Sequence, residues 1–125
     1  MSPNEIGDLI VNAALKIHSA LGPGLLESAY EACLAHELGK SGIQVERQVA
    51  LPLRYDGVLL DVGYRLDIWV DRQVIAELKA TEKVLPIHSM QLLSYLRPSV
   101  CKLRYLLNFN VVRMRDGIKR VEDKL

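Results

Sequence analysis

The chain has 125 residues, half of them hydrophobic and a quarter charged, with 16 basic and 15 acidic side chains for a formal net charge of +1. At roughly 150 residues per domain this predicts a single domain over residues 1–125, apolar enough for one buried core and too mixed in composition for a disordered or collagen-like chain. No apolar run approaches the ~18 residues of a membrane span, and the N-terminus has no basic stretch leading into an apolar one, which predicts a soluble cytoplasmic protein with no membrane partner.

Ser2-Pro3-Asn4-Glu5 has the spacing of a capping box. Ser2 can accept from a first-turn amide, Glu5 can reach back to it, and Pro3 suits the first helical position. Ile6, Leu9, Ile10, Ala13, Ile17 and Leu21 then recur at three- and four-residue steps, predicting a helix with one apolar stripe that Gly22-Pro23-Gly24 ends. A second helix is expected over residues 25–40, stopped by Gly39 and Gly42. Its stripe of Glu27, Tyr30, Leu34 and Leu38 would place a carboxylate on the inward face.

From Ile43 the period changes to two, with Ile43, Val45, Val49, Leu51 and Leu53 alternating with Gln44, Glu46 and Gln48, which predicts a strand. Asp56-Gly57 signals a hairpin turn, and residues 58–70 read as a second extended run. Val74–Lys79 is a third strand, residues 86–96 a helix and Leu103–Asn108 a fourth strand, followed by a basic tail with a turn at Asp116-Gly117. The order α-α-β-β-β-α-β predicts an α/β or α+β sandwich with helices packed on a mixed sheet.

Cys33 and Cys101 lie far apart and neither belongs to a CxxC pair, so no disulfide framework or structural zinc site is expected. The near-zero net charge hides an asymmetry. Residues 1–96 carry 8 basic and 12 acidic side chains, whereas residues 97–125 carry 8 basic and 3 acidic, which predicts a basic C-terminal face able to neutralise phosphates.

The segment from Tyr64 to Lys79 carries the chemistry. A three-residue loop at Asp71-Arg72-Gln73 sets Leu66 against Leu78, Ile68 against Ala76 and Val70 against Val74, one continuous apolar face; a two-residue loop would split it. The three-residue register puts Asp67 opposite Glu77, with Lys79 on the side of Glu77. Two adjacent carboxylates call for a cation between them, and a divalent metal is the obvious candidate. Neutralisation at the surface by Lys79 and Arg65 is the alternative on these residues alone.

Asp67 followed by Glu77-Leu78-Lys79 resembles the D...ExK signature of the PD-(D/E)XK nuclease superfamily. Gly24-Leu25-Leu26-Glu27-Ser28-Ala29-Tyr30 is similar to the motif for which the GxxExxY protein family of that superfamily is named. Further similar pieces are Tyr64-Arg65-Leu66-Asp67, Glu77-Leu78-Lys79-Ala80, Gln91-Leu92-Leu93-Ser94-Tyr95-Leu96, Asn108-Phe109-Asn110 and Asp116-Gly117-Ile118-Lys119-Arg120, together spanning nearly the whole chain. Leu66 stands where the superfamily name has proline, and residues 97–105 depart from the Gly-rich, apolar lead-in expected before the last strand.

The resemblance implies a restriction-endonuclease-like core with a mixed central sheet flanked by helices. It implies Asp67, Glu77, Glu27 and the backbone carbonyl of Leu78 as metal ligands, Mg2+ as the cofactor with Mn2+ able to substitute, and Lys79 as the residue orienting the attacking water. Gln91 and Tyr95 would close the site from their helix, with Tyr30, His88 and Arg65 around it. The expected function is metal-dependent phosphodiester hydrolysis of nucleic acid, DNA in preference to RNA, with a homodimer needed to cut both strands of a duplex. A catalytically silent nuclease-fold module that binds nucleic acid or regulates a partner is the alternative, because fold alone does not fix function.

Overall fold

The computed structural model describes residues 1–82, 87 and 103–122. The N-terminal capping box forms as read. The Glu5 amide donates to Ser2 Oγ at 3.2 Å, the Ser2 amide donates to Glu5 Oε1 at 3.1 Å, and helix α1 runs Pro3–Leu21. Ile6, Ile10, Ala13, Ala14 and Ile17 are buried along it, whereas Leu21 stands exposed past the packed stripe. Gly22 ends the helix at φ 69° and donates its amide to the His18 carbonyl at 2.8 Å, a left-handed backbone that glycine takes without cost.

Helix α2, Glu27–Gly39, buries Tyr30, Leu34 and Leu38. Tyr30 explains why glycine and tyrosine flank the intervening turn. Its hydroxyl donates to the Gly22 carbonyl at 2.6 Å and accepts the Leu25 amide at 3.1 Å, and its ring stacks on Phe109 with centroids 4.3 Å apart. One buried phenol thus staples the α1–α2 connection to the core.

Five strands form one mixed sheet in the order β1-β4-β5-β6-β7: β1 Val45–Ala50, β4 Arg65–Val70, β5 Val74–Lys79, β6 Leu103–Asn108 and β7 Ile118–Glu122. Among the described residues only β5 and β6 run parallel, a pairing that requires a crossover connection. The helix expected over residues 86–96 lies outside the described residues, apart from helical Ile87. Both α1 and α2 pack on one face of the sheet, over Ile68, Val70, Val74, Ala76, Leu78, Leu103, Tyr105 and Leu107. Leu66, Trp69, Ile75 and Leu106 form a second cluster on the other face.

The expected first strand is divided. It breaks at Leu51-Pro52, and Leu53–Tyr55 (β2) pairs instead with Val58–Leu60 (β3) across the Asp56-Gly57 turn, where φ is 54° and 73°. Positive φ at both central residues is what a tight two-residue hairpin demands. The run 58–70 is likewise two strands, interrupted at residues 61–64, and β7 was not foreseen in the tail.

The β4–β5 register is the one the three-residue loop predicts, with Ile68 paired to Ala76 and Val70 to Val74. The continuous apolar face is not. Leu66 joins Trp69 on the face away from the helices, although regular alternation would set it beside Ile68. Strand β1 does the same: Val45 packs on the helix side and Val49 on the other, while Arg47 stays opposite Ile68 and Val49 opposite Leu66. Both strands therefore exchange faces at one level, between these pairs, where Gln48 has φ 51° and lies across from Asp67.

At the far end of β6, the short 3-10 turn Met114–Gly117 folds back on the strand. Asn108 anchors the segment after β5 by donating to the Thr81 carbonyl at 2.9 Å and accepting the Thr81 amide at 3.2 Å. A methyl at Gly117 would overlap the Asn108 carbonyl oxygen, a backbone atom that cannot yield without distorting β6. Gly117→Ala is accordingly expected to lower the thermal midpoint by on the order of 5–10 °C, read by calorimetry.

Candidate functional site

The exchange of faces opens the strand pair at Asp67. Past Ile68 and Ala76, side chains take over from the ladder: the Leu78 amide donates to Asp67 Oδ2 at 2.8 Å and the Asp67 amide donates to Glu77 Oε1 at 3.2 Å. The two carboxylates are thus held side by side, that of Glu77 by the Asp67 amide and that of Asp67 by the amide of Leu78, the next residue along β5. The N–H and C=O of one strand residue project from the same edge, so the Leu78 carbonyl also faces the Asp67 side.

Glu77 is 7% exposed. Burial, then the neighbouring Asp67 charge, pushes its carboxyl up to about 9, and the Lys79 ammonium opposes that rise only in part. Glu77 and Lys79 alternate with Leu78 and so share the sheet face opposite the helices. Asp67, at the crossing point, links them to a cleft of about 420 Å³ on the helix side, lined by Glu27, Ser28, Glu31, Gln48, Asp67 and Leu78.

Glu27 does not lie on the inward stripe. It is exposed in the first turn of α2, which reaches beyond the end of β5, and its Oε1 accepts the Ala80 amide at 3.3 Å. The buried carboxylate is Glu31, one turn later, 6% exposed. It accepts from Arg47 Nε at 3.1 Å and Nη2 at 2.9 Å and from the Gln48 amide. Sequence reading missed Glu31 and Gln48. The signal was Arg47, which holds the apolar phase of the β1 alternation and therefore needs a buried acid facing it.

Two expected contributors stand elsewhere. Arg65 pairs with Asp61 at 3.7 Å and donates to the Tyr64 carbonyl, touching neither carboxylate, because the strand has turned over between Arg65 and Ile68. Tyr30 is spent on the core, as described above. His88, Gln91 and Tyr95 lie outside the described residues. The basic C-terminal face is only partly there: Arg104 is fully buried, Arg120 is held by Asn4, Tyr105 and Glu122, and Arg113, Arg115 and Lys119 remain exposed. Arg97, Lys102 and Lys124 fall outside the described residues.

Among the described residues no group of three or more His, Cys, Asp or Glu side chains is gathered closely enough to hold a metal ion. The pair Asp67 and Glu77 with the Leu78 carbonyl nevertheless fits a hard divalent cation, which takes one or two carboxylates and completes its shell with water and substrate phosphate. Glu77, pushed up to about 9 first by its burial and then by the neighbouring Asp67 carboxylate, with Lys79 offsetting only part of the rise, is the electrostatic signature of that fit. No helix of the described residues is long and apolar enough to cross a membrane.

No curated protein and no solved structure matches the chain. A family model does, that of the PD-(D/E)XK nuclease superfamily, over residues 4–121. Nucleases of this superfamily generally act on nucleic acid with a divalent metal. The match covers α1 through β7, and the mixed sheet, the flanking helices and the opened strand pair at Asp67 and Glu77 agree with it: the chain belongs to the PD-(D/E)XK nuclease superfamily.

Proposed function

We propose that the protein is a metal-dependent phosphodiesterase of the GxxExxY type that hydrolyses nucleic acid in the cytoplasm. The observation that supports it most is the abutting of Asp67 and Glu77, with Glu77 pushed up to about 9 by its burial and by the Asp67 charge beside it. In this reading Asp67, Glu77 and the Leu78 carbonyl hold Mg2+, with Mn2+ able to substitute, and Glu27 contributes from the rim of the cleft. The metal supplies Lewis acidity toward the phosphate and a water of lowered pKa. Lys79 is fixed at the end of β5, where its ammonium can donate to the attacking water or to a phosphate oxygen and so orient one against the other. Asp67 and Glu77 would serve as ligands rather than as the base, Glu77 giving up its proton as the metal binds, and the basic side chains Arg113, Arg115 and Lys119 offer backbone contacts without reading bases. The resemblance favours DNA over RNA. One site cuts one strand, so duplex cleavage calls for a two-fold homodimer.

Titration of Mn2+ and Mg2+ into wild type, Asp67→Asn and Glu77→Gln by calorimetry tests this with no guess at substrate. Saturable binding in the wild type, lost in both variants, is the expected result. Absence of binding up to ~10 mM, in the wild type and with an oligonucleotide present, would instead favour the catalytically silent module.

A further inference from the structure

Beyond the Asp67–Glu77 pair, the cleft holds a second cluster whose bonds lead back to Asp67. The Gln48 side-chain nitrogen donates to Glu31 Oε1 and, at 3.3 Å, to Asp67 Oδ1. An amide nitrogen carries two hydrogens, and ionised carboxylates only accept, so this nitrogen is fully committed to bridging the two acids. Glu31 is itself immobilised, since Arg47 grips its other oxygen through two nitrogens. An ion pair between α2 and β1 needs nothing more than Arg47. It gives no reason for an amide to reach Asp67, nor for Gln48 to hold φ 51° in the middle of a strand. Non-glycine residues keep such a backbone only where their surroundings over-determine it.

We infer that Gln48, anchored by the buried carboxylate of Glu31, is a positioning residue that fixes Asp67 Oδ1 while the Leu78 amide fixes Oδ2, so that the carboxylate is set before a cation arrives. The inference rests on the reading of Asp67 as a metal ligand. A neutral amide suits the task because it orients the carboxylate without cancelling its charge; a lysine or arginine there would occupy the place of the cation. The face exchange of β1 and β4 is the backbone device that brings Gln48 and Asp67 together.

Gln48→Gly separates positioning from folding, because glycine accepts a positive φ freely and the side chain it removes is exposed and belongs to neither apolar cluster. The expected result is a thermal midpoint equal to or above wild type, with Mn2+ affinity reduced about 10- to 100-fold, the range for losing an outer partner of a ligand. In the metal-free protein, hydrogen exchange at the Leu78 amide should quicken about tenfold as Asp67 loosens. A merely structural role for Gln48 would move the midpoint and neither of the other two. Wild-type exchange at Leu78 in Gln48→Gly overturns the inference whatever the metal does. Should the wild type bind no Mn2+, the metal reading falls on its own, and faster Leu78 exchange in the variant still establishes the brace.

Discussion

Replacing Lys79 by alanine is expected to lower the rate of phosphodiester cleavage by about 10³-fold, the scale of losing one aligned charge at a transition state, without loss of fold or metal affinity. Lys79 sits at the last position of β5, where its backbone pairs with Asn108 and its carbonyl accepts the Phe109 amide. Alanine keeps both of those bonds. The side chain belongs to neither apolar cluster, so its removal leaves no cavity in the core. Single-turnover cleavage of a labelled oligonucleotide with Mn2+, beside a far-ultraviolet circular dichroism melt, separates the outcomes. A variant that melts early would show that the ammonium serves as a counter-ion to buried Glu77, and the role in orienting water would be withdrawn.

The second large effect concerns Glu77 and pH. Its folded-state pKa of about 9 lies well above the ordinary value of 4.5, so between these limits the folded protein binds a proton that the unfolded chain has released. Stability therefore falls as pH rises through that window and is fully retained, as far as this group is concerned, only below 4.5. Glu77→Gln presents the neutral form permanently. The metal-free variant is expected to melt on the order of 5 °C or more above wild type at pH 8, and the gap should close toward pH 5. Metal binding should be abolished in the same variant. In the wild type, metal affinity should climb by up to tenfold per pH unit below 9, with one proton released per ion bound. Calorimetry in two buffers of different ionisation enthalpy measures that proton. A wild type whose midpoint is flat from pH 6 to 8 would mean that Glu77 is already ionised and that its burial is compensated by some other group.

Local signals in the chain were reliable where one residue's chemistry decides the backbone. Ser2 and Glu5 start α1, Asp56-Gly57 makes the hairpin, and the loop length at residues 71–73 sets the β4–β5 register. Asp67 beside Glu77 followed from that register alone. What could not be read is the exchange of faces, because periodicity assumes a strand that keeps its twist, and Gln48 is not a residue that advertises positive φ. The same assumption gave Leu66 the wrong side. Glu27 and Glu31 were ambiguous for another reason: both fit a three-and-four spacing with Leu34 and Leu38, and only the position of α2 over the end of β5 decides which one is buried.

The sheet order has a consequence for the time at which the domain can assemble. Helix α1 ends at Leu21, yet it packs on β6, which begins at Leu103, and its His18 ring is held by the Val111 carbonyl at 2.7 Å. Asn4 similarly meets Arg120. Strand β6 is buried at all six positions and lies between β5 and β7. A nascent chain emerging from the ribosome through β5 accordingly carries two helices and a half-sheet in which the β5 edge still lacks its β6 partner. Closure waits for β6 and the segment that follows it, partners roughly a hundred residues from α1, which makes this a high-contact-order domain that folds slowly and is most exposed to aggregation during that interval.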